Sequence, residues 1–261
     1  MAPSTHVATA QLLKLAETDE STPIPAAGSA TILSILPFLN NSGTFNMRDL
    51  RLVPGSPIRP GYAFRCGSLE GLEASGKATV IHTHRIKWIF DPRSTDKRTR
   101  SPDPDTIGIR NTGIPGSHNN SVDISDFING GDEEGYYKIY IQLMEAYGPN
   151  FRTILEHIRD GAEEPFLFHY TDKHSAETIA LDYILTQISS ELILKLLPDH
   201  AIQETGCRGF EDSGFHNLCS LRRTSWNSFL KGLQSKYGGF EGYDIVGLGF
   251  LRRMLSRSRG I

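Results

Sequence analysis

The sequence predicts an α/β fold: a central, mostly parallel sheet flanked by helices, with a helical C-terminal elaboration. Three observations predict it. Short apolar runs of strand length alternate with segments of helical periodicity. The apolar run Pro165-Phe-Leu-Phe-His leads through a polar stretch, Tyr170–Glu177, into a helical pattern at Thr178–Ile188. That is a strand–loop–helix unit, which places backbone amides and a helix N-terminus around an anion. Hydrophobic residues at 38% and charged residues at 22% of 261 positions support a packed core rather than disorder.

The elements follow in order. Residues 1–35 are rich in Ala, Ser, Thr and Pro and read as an arm, with a short helix at Gln11–Glu17 broken by Ser21-Thr-Pro-Ile-Pro. Residues 36–261 read as one domain. The turn-dense stretch Val53–Gly61 predicts a hairpin followed by a strand, Tyr62–Cys66. A helix is expected over Leu69–Thr79 and a buried strand over His84–Asp91. Ser94–Gly108 reads as a loop, Ile109–Ile114 as a strand, and Asn119–Gly131 as a loop ending in two glycines. Glu134–Tyr147 and Asn150–Asp160 have helical spacing, separated by Gly148-Pro. Ser189–Leu197, Arg223–Tyr237 and Gly247–Arg257 are expected to be helical. Gly206–His216, carrying Phe210 and Phe215, reads as a lid.

Composition excludes several function classes. A formal charge of −3 leaves no basic field for nucleic acid. No run approaches the roughly 20 apolar residues a membrane span needs. The N-terminus lacks a secretory pattern, and three scattered cysteines fit a reducing compartment, most simply the cytoplasm. His82-Thr-His84 on a strand would point two imidazoles to one side, but no third ligand follows at a convincing spacing, so no metal or other cofactor is expected. The partner expected is a small-molecule substrate; the oligomeric state stays open.

Several stretches carry a resemblance. Asn46-Met-Arg-Asp-Leu, Ile58-Arg-Pro-Gly-Tyr-Ala-Phe-Arg-Cys-Gly-Ser-Leu, Ile89-Phe-Asp-Pro-Arg-Ser, Leu167-Phe-His-Tyr-Thr-Asp-Lys-His-Ser-Ala-Glu and Lys236-Tyr-Gly-Gly-Phe-Glu-Gly-Tyr-Asp occur in one order. Together they resemble the motifs of the atypical protein-tyrosine/serine phosphatases of bacteria and fungi. The resemblance implies a tyrosine-phosphatase-like domain with its reactive loop directly after His169. In that family the loop carries H-C-T-A-G-K-D-R-T-G: the cysteine attacks as a thiolate and the arginine grips the phosphoryl oxygens. Here the cysteine position is Tyr170, and the arginine position is Ala176, or Ser175 with a one-residue deletion. Asp172 and Lys173 stand at the Ala-Gly positions, and a carboxylate in an anion cradle repels phosphate. The resemblance therefore implies the fold without the phosphatase chemistry.

The loop admits two readings. It is a new acid–base site in an old pocket, with Asp172 and His174 moving protons and Tyr170 and Lys173 supporting an oxyanion; or it is a surface loop that drifted once phosphate binding was lost. Arg48, Asp49, Arg65, Arg93, His169 and Ser175 are the candidate substrate-binding residues. For Arg48 with Asp49 the alternative is a structural ion pair, and for Arg65 and Arg93 it is capping of carbonyls or pairing with Asp91. Cys66 reads as a small buried residue rather than a displaced nucleophile. Three functions stay open: a repurposed metal-free isomerase, lyase or cyclase, of the kind recruited into secondary metabolism; a pseudophosphatase that only binds; and a residual hydrolase with another nucleophile.

Overall fold

The structure is a computed structural model. It describes residues 38–250 apart from 40–42, 45, 54–55, 57, 68, 94, 114–121, 130, 162, 170–201, 203–204 and 220–222. Its centre is a five-stranded sheet of β1 (Arg48–Asp49), β2 (Ala63–Cys66), β3 (Trp88–Asp91), β4 (Arg110–Gly113) and β5 (Phe166–His169), in the order β1-β2-β5-β3-β4. β1 is antiparallel to β2; every other pairing is parallel. β5 is central and covered on both faces, as its near-continuous apolar sequence requires. The faces alternate with the period of two. Phe64, Cys66, Ile89 and Leu167 pack with Val80 and Ile86 on one side. Ala63, Phe90, Phe166 and Phe168 pack with Ile154 on the other.

Ile154 belongs to α5 (Gly148–Asp160), which follows α4 (Gly131–Ala146). α4 packs against α7 (Arg223–Tyr237) and α7 against α8 (Gly239–Val246), giving a second, helical core around Tyr136, Tyr140, Trp226, Phe229 and Tyr243. Gly232 lets α7 approach α4: a Cβ there would stand 1.9 Å from the Tyr137 ring. Many of the aromatics are core residues. Tyr136, Tyr140, Phe166 and Phe168 are buried, and Trp88, Tyr137 and Phe151 pack half-buried against them.

Several expectations are corrected. The helix expected over Leu69–Thr79 begins later, as α1 (Ala74–Ala78), because Leu69 turns into the core. It continues into a π turn at Thr79–Thr83. His82 lies in that turn and His84 closes it, so the two are not on a strand and do not share a strand face. Ser94–Gly108 is not all loop: α2 (Thr95–Arg100) forms there, polar all round and so without an amphipathic signal. Asn119–Gly131 holds α3 (Ser125–Asn129), capped by Asp123 Oδ1 accepting the Ser125 N–H at 2.9 Å and anchored by the fully buried Phe127. Five residues are too few to show a period.

The lid expectation over Gly206–His216 is corrected at its C-terminal end, while Phe210 is 59% exposed. Phe215 is fully buried and begins a short helix, α6 (Phe215–Cys219). Asn217 donates to the Phe127 carbonyl at 2.8 Å and the Tyr136 hydroxyl donates to the Leu218 carbonyl, so α6 is tied to the helical core. Gly247–Arg257 does not start as a helix: residues 247–250 are irregular, with Leu248 and Phe250 buried. The arm at 1–35 and the helices expected at Thr178–Ile188 and Ser189–Leu197 lie outside the described residues. Among the described residues no helix is long and apolar enough to cross a membrane.

Candidate active site

The parallel register brings the C-terminal ends of β2, β5 and β3 together. Cys66 stands beside His169, and Asp91 ends the strand on the other side of β5. Asp103, from the segment after α2, completes the cluster. His169 Nε2 lies 2.8 Å from Asp103 Oδ1 and 3.7 Å from Asp91 Oδ1, off the line of a hydrogen bond. The ring is 1% exposed.

Arg93 binds this cluster together. Its Nε and Nη2 donate to the two Asp91 oxygens at 2.9 Å each, and Nη2 also donates to Asp103 Oδ1 at 3.1 Å and to the Ser101 carbonyl at 2.9 Å. Arg98 Nε approaches Asp91 Oδ2 at 3.6 Å. Burial works against the Arg93 charge, but the bonds and charges of Asp91 and Asp103 outweigh it and hold the guanidinium above its ordinary pKa. Of the two roles left open for Arg93, the structure shows the pairing with Asp91.

Asp91, Asp103 and His169 each offer a ligand atom within 4.8 Å of the others, the spacing of a metal site. The carboxylates already accept from Arg93, so a divalent cation would have to displace a bidentate guanidinium. The donor set fits an internal ion network better than a metal.

Asp49 is spent on the backbone: Oδ1 accepts the Arg51 N–H at 2.9 Å and Oδ2 the Gly61 N–H at 2.8 Å, pinning the β1–β2 connection. Arg48 is fully buried, donates to Asn46 Oδ1 and lies 5.5 Å from the Phe38 ring centre. Arg65 is buried opposite it. Burial pushes the Cys66 thiol far up, despite the nearby Arg65, Arg93 and Arg48, so it is not a thiolate at neutral pH. Tyr170, Asp172, Lys173, His174 and Ser175 lie outside the described residues, directly beyond His169.

Asp103 is not legible in the sequence because Pro102-Asp-Pro-Asp reads only as a loop. Its role comes from a fold-back that local pattern does not encode.

At the opposite, N-terminal end of the same strands lies a cavity of about 530 Å³, lined by Arg59, Phe64, His84, Arg85 and Lys87 among others. Burial holds His84 below the ordinary imidazole pKa, with Asp49 opposing.

The comparisons with known proteins agree with this geometry. A family model described as the tyrosine phosphatase family matches residues 39–172 and 173–259, its two stretches meeting three residues after His169. No curated protein matches the chain.

Proposed function

The chain belongs to the tyrosine phosphatase family, and we propose that it has lost that family's thiolate chemistry and works as an acid–base enzyme of isomerase, lyase or cyclase type on a small organic molecule. One observation carries the reading: the position after the central strand's His169, where the family keeps its nucleophile, is Tyr170. Cys66, paired with His169 on the neighbouring strand, does not replace it, since its thiol is buried and stays protonated. No guanidinium follows in the loop, where Ser175 and Ala176 stand. Asp172 and His174 move the proton in this reading, while Tyr170 and Lys173 donate to the developing oxyanion.

The test has two parts. Purified protein should not hydrolyse an aryl phosphate above background; turnover abolished by Cys66→Ser would overturn the loss of thiolate chemistry. With a substrate in hand, His174→Ala or Asp172→Ala should lower kcat by about 100-fold or more, the ordinary worth of a positioned acid or base. Wild-type rates in both variants would remove the loop from the mechanism.

A second reading is a pseudophosphatase that binds without turnover. It is favoured by the self-contained pairing of Asp91, Arg93 and Asp103, which leaves that end of the strands with little charge to offer a substrate. Saturable ligand binding with no product by mass spectrometry would select it.

A further inference from the structure

Every strong cation at the C-terminal end of the sheet that faces Asp91 is paired, yet three cations at the other end are not. Arg59, Arg85 and Lys87 line the cavity there, and among the described residues none has a carboxylate partner. Arg59 is fixed instead by the Tyr62 ring, its Cζ 4.2 Å from the centroid, which leaves the guanidinium edge free to donate. The cavity wall holds two carboxylates. Asp49 is committed to two backbone N–H groups, and Glu163 is exposed. The cations therefore outnumber the acids, and one of the two acids already accepts from backbone N–H groups.

Arg85 supplies an independent argument. The Ile86 N–H closes the π turn onto the Val80 carbonyl at 3.1 Å, and this leaves Arg85 in the left-handed region, at φ 55°. Glycine takes that position at the end of a helix most cheaply, and a branched or long side chain there costs backbone energy. The chain keeps an exposed, unpaired arginine at the one place in the turn where glycine would relieve strain. A side chain held against local cost is one with work to do elsewhere.

Leu39, Pro60, Phe64 and Pro165 give the cavity an apolar side, with Thr83 and His84 beside the cations. A volume of about 530 Å³ lies within the range of small-molecule sites. We propose that this cavity is a second binding site, separate from the loop after His169, for the phosphate monoester of a small organic molecule. Arg59, Arg85 and Lys87 hold the phosphate, and the apolar wall holds the organic body. The four residues of β5, Phe166–His169, put roughly 13 Å of strand at about 3.3 Å each between this site and the His169 end.

Isothermal titration of the full chain at low salt tests it, with inorganic phosphate, phenyl phosphate and phenol as probes. Phenyl phosphate should bind saturably, tighter than inorganic phosphate, and phenol should not bind. Arg85→Gly and Lys87→Ala should each weaken phenyl phosphate about tenfold, the worth of one charge-assisted contact. The Tm of Arg85→Gly should be unchanged or higher, so its loss of binding is not loss of fold. Absence of saturable binding overturns the proposal. So does phenyl phosphate binding that is undiminished in both variants, which would place the ligand elsewhere on the chain, or phenol binding as tightly as its phosphate.

Discussion

At the C-terminal ends of β3 and β5, the buried Asp91 and His169 stand with the partly buried Asp103 and Arg93, and the carboxylates take up most of the guanidinium's donors. At the N-terminal ends, Arg59, Arg85 and Lys87 stand around an open cavity with no carboxylate bound to them among the described residues. One sheet thus carries charge in two ways. Charge paired inside the fold fixes the geometry of the strand ends and the path of the chain through Asp103. Charge left unpaired at the rim does little for the fold and remains free for a ligand.

The largest test of this contrast is Asp91→Asn. It leaves the partly buried Arg93 with only Asp103 and the Ser101 carbonyl, which should cost about 2–3 kcal/mol by urea denaturation, the worth of a charged hydrogen-bonded pair. The double variant Asp91→Asn with Arg93→Met should recover much of it, because no buried charge is then orphaned. A loss below about 1 kcal/mol for the single variant would mean that the network does not hold the strand ends.

A carboxylate without a cation sharpens the point. Asp244, in α8, is pushed up to about 6 by burial, with the Glu241 charge adding to it. Its folded pKa lies above the unfolded value near 3.9, so the protonated form is favoured in the native state. The stability it contributes is complete below the unfolded pKa and lost as pH rises through about 6. Asp244→Asn should therefore stabilise at pH 8, by about 1 kcal/mol once partial exposure is allowed for, and do nothing at pH 4. A gain equal at both pH values would assign the effect to packing instead.

The smallest expected effect is at the open end. Lys87→Ala should change stability by no more than about 0.5 kcal/mol, the scale of an ordinary surface substitution. Set against Asp91→Asn, it compares charges at opposite ends of β3. A large loss at Lys87 would show that the rim cations are structural after all.

The sheet was legible because its strands are apolar at the right spacing. Phe166-Leu-Phe-His and Trp88-Ile-Phe-Asp announce themselves, and the chain direction after each puts His169 and Asp91 at the same end. Arg93 was legible as a partner of Asp91 because it lies two residues away. Asp103 was not, since its place depends on where a polar helix, Thr95–Arg100, returns the chain. The cavity was not legible either. Arg59, Arg85 and Lys87 come from two separate connections, and only the parallel pairing of β2 and β3 on either side of β5 gathers them. Gly206–His216 looked open because glycines and polar residues punctuate it; the buried Phe215 decides its position.

The π turn at Thr79–Thr83 makes the cavity depend on chain length as well as on composition. A π turn holds one residue more per hydrogen bond than an α turn, so His84 reaches back five residues to the Thr79 carbonyl, at 3.0 Å. Deleting a single residue within it would let ordinary α geometry close, and each residue of an α-helix advances by about 100° around the axis. Arg85 would then swing by about that angle, and the same side chains, in the same order, would no longer converge.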